Sequence, residues 1–366
     1  MQSMRLVIDA RMLDHSGIGV YLSHVLPGII ERCAPLDPLV LASPEAHDRA
    51  KSLVATKATV AVWSAAPLSV RELLPPPHSG PGTLWWVPHY NVPLFSRAPL
   101  VATVHDVLPL SSAAGHWPLA KRLAVKSWIA AIRARARRVV CSSDFTRREV
   151  IRLARIDESR IDVVPLGVDI PGTVAPAPID DGAKPYLLFV GLVKPHKNLS
   201  GLLRAFEAVS GEIAHRLIVV GRHTGLRDVD SAALEQAARL APRVELLEDI
   251  PRERLAALMA GAALLIQPSF YEGFGLPPLE AMAAGTPVLA ASAGALPEVC
   301  GDAALYFDPA SPREMAQRIR EALGDEGLRD RLRERGRERV RAFTWEACAA
   351  RTGDILLAAA QPAIGM

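Results

Sequence analysis

Two glutamates separated by a glycine-containing loop form the segment of this sequence best suited to chemistry. The apolar run Ala262 to Ile266 leads into Gln267-Pro-Ser-Phe-Tyr and then into Glu272-Gly-Phe-Gly-Leu-Pro-Pro-Leu-Glu280. The apolar run reads as a buried strand. The paired prolines suit the first turn of a helix, where their missing N–H groups are no loss. Glu272 is therefore predicted in a loop at the carboxyl end of a strand, and Glu280 on the helix that follows.

A loop of this kind suits a ligand that is rich in hydroxyl groups. Gly273 and Gly275 allow the backbone to approach a ligand and to point N–H groups at it, and carboxylates accept hydrogen bonds strongly. In open parallel sheets ligands bind at the carboxyl ends of the strands. A nucleotide-sugar fits, with one carboxylate for the sugar and one for the ribose diol. Spacing alone leaves open an ordinary strand–loop–helix with solvated glutamates.

The segment from Glu272 to Glu280 resembles the paired-glutamate motif of the retaining GT-B glycosyltransferases of family 4, which use nucleotide-sugars. Residues 281–288 and 293–298 resemble that family as well, and the similarity runs from Met4 to about Thr344. The resemblance implies an α/β protein of two Rossmann-like, doubly wound domains facing a central cleft. It assigns Glu272 to catalysis and donor binding, and it assigns these further residues to donor binding: Gly273, Phe274, Gly275, Leu276 and Glu280.

The amino-acid composition is typical of a globular protein. The chain has 366 residues, of which 50% are hydrophobic and 22% are charged, so it suits two well-packed domains and not a disordered chain. A net charge of +3 is too small to indicate nucleic acid. Four scattered cysteines show neither metal-ligand nor disulfide spacing. With no apolar start typical of a signal peptide and no spanning run, we expect a cytoplasmic protein, at most bound to the inner face of the membrane.

The resemblance also divides the chain. Residues 1–170 are expected to form the acceptor-binding domain and residues 171–344 the nucleotide-sugar-binding domain. Residues 345–366 are expected to form a helix that packs back on the first domain. The stretch from Ile170 to Pro185 is rich in proline, glycine and aspartate, which is typical of a linker.

Polar residues follow several predicted strands of the first domain. Met4 to Asp9 reads as a strand, and the loop after it contains Gly17 and Gly19 before a helix. The spacing is not a dinucleotide fingerprint, but the resemblance implies that this loop approaches the donor diphosphate. His105 follows the strand Leu100 to Val104, and the resemblance places it as a catalytic residue against the donor sugar. The residues assigned to the acceptor side are Arg11, His89, Tyr90, Asn91 and Asp106, the last as an orienting residue.

The second domain begins with a loop that suits phosphate. Gly191 follows the strand Tyr186 to Val190, and the loop up to Asn198 carries cations at a helix start. Lys197 matches the lysine that grips the diphosphate in the family, and the resemblance makes it catalytic as well as donor-binding. Gly191, His196 and Arg222 are assigned to donor binding with it.

Two positions of this loop depart from the family. Leu192 and His196 stand where many relatives have arginine, so the positive charge is thinner. Lys194 is placed to compensate for the missing charge.

Residues 117–138 are predicted to form one strongly cationic helix. Its cations are Lys121, Arg122, Lys126, Arg133, Arg135, Arg137 and Arg138. Two interpretations remain open: a solvated helix face, or a basic amphipathic surface that rests on anionic lipid. No nucleic-acid recognition motif accompanies the charge.

The favoured function is metal-independent, retaining transfer of a sugar from a nucleoside-diphosphate sugar to a saccharide or lipid-linked acceptor in bacterial polysaccharide synthesis. Neither a cofactor nor a metal is expected. Residues 86–91 and 103–106 resemble bacterial polysaccharide mannosyltransferases, which favours GDP-mannose and leaves UDP-sugars open. The alternatives are an inactive donor-binding partner, a GT-B nucleotide-sugar epimerase, and a pyridoxal-phosphate phosphorylase for which no cofactor lysine stands out.

Overall fold

The structure is a computed structural model that describes residues 4–15, 17–65, 69, 77–78, 80–111, 119–170, 185–224 and 228–361. The chain divides into two compact units. Unit 1 comprises residues 1–167 and 344–366, and unit 2 comprises residues 168–343. Most of the linker predicted at residues 170–185 lies outside the described residues.

Unit 1 is built on a parallel sheet of seven strands. Its strands are β1 (Arg5–Asp9), β2 (Leu39–Ala42), β3 (Thr59–Val62), β4 (Thr83–Val87), β5 (Leu100–Val104), β6 (Ala136–Cys141) and β7 (Ile161–Val163). The spatial order is β3-β2-β1-β4-β5-β6-β7, so the chain reverses its direction of winding between β1 and β4. β4 and β5 are buried along their whole length, as expected for strands covered on both faces. Helices α1 (Ile18–Arg32), α2 (His47–Val54), α3 (Leu119–Arg135) and α4 (Asp144–Glu149) complete this part of the unit.

The cationic helix is shorter than the sequence predicted. α3 ends at Arg135, and the next residue begins β6, which pairs with β5 on one side and β7 on the other. Arg137 and Arg138 therefore lie on a strand: the first donates to the carbonyl of Gln361 at 3.1 Å, and the second forms an ion pair with Asp162. Trp117 and Pro118 lie outside the described residues.

Unit 2 is built on a parallel sheet of six strands. Its strands are β8 (Tyr186–Val190), β9 (Arg216–Val220), β10 (Val244–Leu247), β11 (Leu264–Gln267), β12 (Val288–Ala291) and β13 (Ala304–Phe307). The order β10-β9-β8-β11-β12-β13 places the reversal between β8 and β11. The helices are α5 (Leu199–Val209), α6 (Ser231–Arg239), α7 (Arg252–Gly261), α8 (Leu276–Ala283), α9 (Leu296–Cys300), α10 (Pro312–Gly324) and α11 (Glu326–Arg339).

The last helix, α12 (Trp345–Ala360), belongs to unit 1 and packs on α1. Thr344 caps its start by accepting a hydrogen bond from the Ala347 N–H at 3.1 Å. His24 stacks on Trp345 with 4.6 Å between ring centroids, and Arg32 forms an ion pair with Asp354. Among the described residues, no helix is both long and apolar enough to cross a bilayer.

Candidate active site

The loops after β8 and β11 flank the point where the unit 2 sheet reverses its winding. The β8 loop runs from Gly191 through a short 3₁₀ turn, Pro195–Lys197, and meets α5. The β11 loop runs from Pro268 to Gly275 and meets α8. Because ligands of open parallel sheets bind at such a reversal, beyond the carboxyl ends of the strands, these two loops form the candidate site.

A nearly buried ion pair joins the two loops. The Lys197 Nζ lies 2.7 Å from Oε1 and 2.9 Å from Oε2 of Glu272, and the two side chains are 17% and 10% exposed. Glu272 Oε1 also accepts hydrogen bonds from Gln267 Nε2 and Ser269 Oγ, each at 2.8 Å. Within the part of the chain that the structure describes, three donors therefore converge on Oε1 and one donor reaches Oε2.

The surroundings of Glu272 keep it ionised. Burial by itself would raise the pKa of Glu272, but the Lys197 charge and the hydrogen bonds from Lys197 and Ser269 outweigh it, so the pKa lies below its usual value. At neutral pH the site therefore holds a carboxylate and an ammonium in contact.

Further contacts fix the two loops to each other. The Phe270 N–H donates to the carbonyl of His196 at 2.9 Å. The buried Asn198 adopts a left-handed backbone, with φ 56°, and its amide donates to the carbonyls of Pro268 at 2.9 Å and Pro309 at 2.8 Å. The position of Lys197 is thus set by backbone contacts as well as by its ion pair.

Two glycines allow the close packing around Glu272. Gly294 has φ 62°, and a Cβ there would lie 2.7 Å from the Glu272 backbone nitrogen and oxygen. Gly275 has φ 113° at the start of α8, a backbone that other residues rarely adopt. Side chains at these positions would push the Glu272 loop away from its neighbours.

Positive charge at the β8 loop comes from lysine and not from histidine. Burial and the charges of Lys197 and Lys194 lower the pKa of His196 to about 4. His196 is therefore neutral at physiological pH, which agrees with the thinner charge predicted from the sequence. Among the described residues, Lys194 has no ion-pair partner, and this leaves its charge available.

Arg222 lies in the loop after β9, at the same end of the sheet. A Cβ on Gly221 would lie 1.8 Å from the Gly191 carbonyl oxygen, so the β8 and β9 loops pack backbone to backbone. The Glu248 carboxylate accepts hydrogen bonds from the N–H groups of His223 at 2.9 Å and Thr224 at 3.0 Å, which fixes the loop. The Arg222 side chain is exposed, and no described residue forms an ion pair with it.

The remaining predicted donor residues of unit 2 belong to the β11 loop and α8. Gly273 is half-buried within the loop, and Leu276 is the first residue of α8. Phe274 is buried with its ring edge-on to Phe343, at 5.8 Å between centroids. Glu280 is half-buried on α8, as the sequence predicted. Their contacts with a donor remain predictions.

His105 follows β5 in unit 1. Its Nε2 is buried and has no hydrogen-bond partner among the described residues, and Tyr21 lies edge-on to its ring at 4.9 Å. Burial and the neighbouring His89 lower the pKa of His105 to about 4. A neutral imidazole with an unused nitrogen can exchange a hydrogen bond with a ligand hydroxyl.

The predicted acceptor residues after β4 form a small polar cluster in unit 1. His89 Nδ1 lies 2.5 Å from Asn91 Oδ1, and the Tyr90 ring lies tilted against His89, with 3.9 Å between ring centroids. Burial lowers the pKa of His89 to about 4, although the Asn91 contact opposes this change. Asp106 Oδ1 accepts from the Leu108 N–H at 2.9 Å, and its role in orienting the loop stays a prediction.

The structure corrects the prediction for Arg11. Its side chain is fully buried, paired with Asp9 at 2.6 Å, and stacked 3.4 Å above the Trp63 ring. Its Nη1 donates to the Ala65 carbonyl at 2.8 Å. The guanidinium is therefore engaged inside unit 1 and is not presented to an acceptor.

The predicted glycines of the first loop lie at the start of α1. Gly17 precedes the helix with φ 78° and has open space around its Cα. A Cβ on Gly19 would lie 2.2 Å from the Leu13 carbonyl oxygen, so Gly19 serves the packing of the loop on the helix. Approach of the diphosphate to either residue remains a prediction.

Three buried polar residues of the site were not predicted from the sequence. Gln267 and Ser269 contact Glu272, and Asn198 links the two loops. All three are at most 3% exposed. The sequence signal that could have found Gln267 is a polar residue at the end of an apolar strand. A polar side chain buried at such a position needs a hydrogen-bond partner nearby.

Two family models match segments of the chain. The family model for Glycosyl transferases group 1 matches residues 177–339, and the model for Glycosyltransferase Family 4 matches residues 78–170. Residues 177–339 therefore form a segment similar to the first family, and residues 78–170 form one similar to the second. The first match covers the β8 and β11 loops, so the candidate site lies within the family domain.

Two relatives of this chain illustrate the similarity. The O-antigen chain mannosyltransferase B of Escherichia coli is 34% identical over 228 residues, which cover 59% of this chain and 59% of that protein. The D-inositol 3-phosphate glycosyltransferase of Nocardia farcinica is 35% identical over 273 residues, which cover 68% of this chain and 59% of that protein. The matched segments thus span less than two thirds of either relative.

A solved structure shares the fold. Anabaena HepE in complex with UDP-glucose superposes with a TM-score of 0.74 at 19% identity, covering 97% of this chain and 99% of HepE. The predicted GT-B class, with two parallel-sheet α/β domains, is confirmed.

Proposed function

We propose that this protein transfers a sugar, with retention of configuration and without a metal, from a nucleoside-diphosphate sugar to a saccharide or lipid-linked acceptor in bacterial polysaccharide or glycoconjugate synthesis. The observation that carries the proposal is the Glu272–Lys197 pair at the reversal of the unit 2 sheet. The pair places an ionised hydrogen-bond acceptor for sugar hydroxyls beside a cation for the diphosphate.

The leaving diphosphate develops negative charge during transfer. Lys197, Lys194 and Arg222 all belong to loops at one end of the unit 2 sheet, and the last two have no described ion-pair partner. Fixed cations and backbone N–H groups stabilise such charge without reorganisation. These groups support stabilisation of the leaving diphosphate by protein side chains. His196 adds no charge to it, because the imidazole is neutral.

GDP-mannose is the donor we favour. The Escherichia coli relative is named a mannosyltransferase, and residues 86–91 and 103–106 resemble mannosyltransferases of bacterial polysaccharide synthesis. HepE was solved with UDP-glucose, so a UDP-sugar is the competing donor.

The first experiment is titration calorimetry of the purified protein with GDP, UDP, GDP-mannose and UDP-glucose in the presence of EDTA. We expect tighter binding of GDP-mannose than of UDP-glucose, without added metal. Transfer to an acceptor is then followed by NMR, which reports the anomeric configuration of the product. Binding that requires a divalent cation, or an inverted product, contradicts the proposal. Binding without transfer or donor hydrolysis favours the alternative of an inactive partner.

We further propose that α3 rests on anionic lipid, which would bring the enzyme to a lipid-linked acceptor. Arg122, Lys126 and Arg133 are exposed, and the Leu123 side chain is 53% exposed beside them. α3 contains no acidic residue. The surface thus combines cations with an apolar contact, as interfacial helices do.

Sedimentation with lipid vesicles tests this surface. We expect binding to vesicles containing phosphatidylglycerol and not to vesicles of phosphatidylcholine alone, and each lysine or arginine near the surface contributes about 1 kcal/mol. Replacing Arg122, Lys126 and Arg133 with glutamine should abolish binding. The matched control replaces Arg331, Arg335 and Arg341, exposed cations in or just after α11. Equal loss with both triple variants would show a net-charge effect and would contradict a role for α3.

A further inference from the structure

The two oxygens of the Glu272 carboxylate have different surroundings. Oε1 accepts from Lys197 Nζ, Gln267 Nε2 and Ser269 Oγ at 2.7, 2.8 and 2.8 Å, whereas Lys197 is the only described residue that donates to Oε2, at 2.9 Å. A carboxylate offers about four acceptor sites on its two oxygens. Oε1 is therefore saturated by the protein, and Oε2 retains acceptor capacity.

The donors to Oε1 form a consistent network. The two N–H groups of the Gln267 amide point to Ser269 Oγ at 2.9 Å and to Glu272 Oε1 at 2.8 Å. Ser269 accepts the first of these bonds and donates its own hydroxyl proton to Glu272. One N–H of Gln267 and the hydroxyl of Ser269 thus donate to Oε1, and the other N–H of Gln267 links the two donors, which fixes the rotation of the carboxylate.

Gln267 occupies its position at a cost to stability. It is the last residue of β11 and is fully buried, and its Oε1 has no hydrogen-bond partner among the described residues. A buried polar atom without a partner is destabilising, and an apolar side chain of similar shape would avoid that loss. Packing alone therefore does not explain a glutamine at this position, whereas its bond to Glu272 does.

We infer that Gln267 and Ser269 are positioning residues that hold Glu272 Oε1 inside unit 2 and so present Oε2 as the oxygen that accepts a hydroxyl of the bound ligand. The inference rests on the proposed function for the identity of the ligand, a nucleoside-diphosphate sugar. The orientation of the Glu272 carboxylate is inferred from the described contacts and does not depend on the proposed function.

The charged surroundings of the carboxylate are simple. Among the described residues, the titratable groups that act most strongly on Glu272 are Lys197 and His196, both from the β8 loop, and its hydrogen-bond partners from the β11 loop are uncharged. Removing a neutral donor leaves these charges in place. Any change in the pH dependence of donor binding therefore reports on the hydrogen bonds to the carboxylate.

The test uses Gln267→Met and Ser269→Ala, which remove a donor each and keep a compact buried side chain. The matched control is Gln236→Met: Gln236 is 8% exposed, and its amide nitrogen contacts Glu207 at 3.5 Å on the α5–α6 side of unit 2. Because hydrogen bonds to charged groups are strong, we expect each site variant to lower kcat/KM for the donor by about 10- to 100-fold. The acid limb of the donor-binding pH profile should also move to higher pH, while Gln236→Met leaves both unchanged.

A crystal structure of Gln267→Met separates the two proposals. Rotation of the Glu272 carboxylate away from its present position supports positioning, even if no donor binds the wild-type protein and the proposed function fails. An unmoved carboxylate overturns the positioning role. So does a site variant with unchanged kcat/KM in an active protein, or one whose loss leaves the pH profile where it was.

Discussion

Replacing Glu272 with glutamine is expected to abolish sugar transfer while the protein remains folded. The substitution keeps the size of the side chain but removes the charge that pairs with Lys197 and the acceptor at Oε2. Loss of one charge-assisted hydrogen bond to the donor, together with a displaced Lys197, should lower kcat/KM by about 10³-fold or more. Steady-state kinetics with the donor identified by calorimetry measures the effect.

Glu245→Gln is the matched control for this prediction. Glu245 also forms an ion pair in unit 2, with Arg216 at 3.1 Å, but it lies on β10 one residue after the strand begins. Its neutralisation should leave kcat/KM within about twofold, since partly exposed ion pairs contribute little. A folded Glu272→Gln enzyme with near-normal turnover would remove Glu272 from the catalytic assignment. Equal losses in both variants would indicate a general effect on unit 2.

The alternation of strands and helices was accessible from the sequence because buried parallel strands are short apolar runs. β5 (Leu100–Val104) and β8 (Tyr186–Val190) have the bounds that their apolar runs predicted. The loop position of Glu272 and the helical position of Glu280 were predicted from the two prolines of the first helical turn.

The start of β6 was predicted wrongly for a physical reason. Its first residues, Ala136-Arg-Arg138, continue the cationic pattern of α3, so local propensity favours helix. Pairing with β5 and β7 overrides that preference. Arg138 is stabilised there by an ion pair with Asp162, which lies on the neighbouring strand β7. The local sequence around Arg138 does not reveal this contact.

Contacts between distant residues explain the other differences. Lys197 and Glu272 were each assigned to the donor, but 75 residues separate them, and only the order of the strands shows that β8 and β11 are neighbours. Arg11 was assigned to the acceptor side, but its side chain stacks on Trp63, which lies about 50 residues later in the chain. Whether a polar residue near a strand end belongs to the site or to the core is therefore decided by the assembled sheet and not by the local sequence.

Replacing Lys197 with methionine is expected to weaken donor binding and to destabilise the protein in a pH-dependent manner. The substitution leaves Glu272 nearly buried without its cation. Breaking a buried ion pair on one side costs about 3–5 kcal/mol, here reduced by the remaining bonds from Gln267 and Ser269. Lys194→Met is the control, because it removes a cation of the same loop that has no described ion-pair partner.

The sign of the pH dependence distinguishes the lost ion pair from a general packing defect. In the wild-type protein the pKa of Glu272 is depressed, so its ionisation adds stability above the usual glutamate pKa, and that stability is lost as the pH falls through the folded value. Without Lys197, burial dominates and raises the pKa of Glu272. Ionised Glu272 then destabilises the variant, and the difference in Tm from wild type should be largest near pH 7 and should shrink towards pH 4.

The double variant Lys197→Met/Glu272→Gln completes a thermodynamic cycle for the pair. Because it contains no ionised group at the site, its Tm should recover much of the loss seen in Lys197→Met at pH 7, and the pH dependence should disappear. Thermal unfolding of the four proteins between pH 4 and pH 8 measures the coupling. If the two substitutions are additive at every pH, the buried pair makes no net contribution to folding, and the charge on Lys197 acts only when a donor is bound.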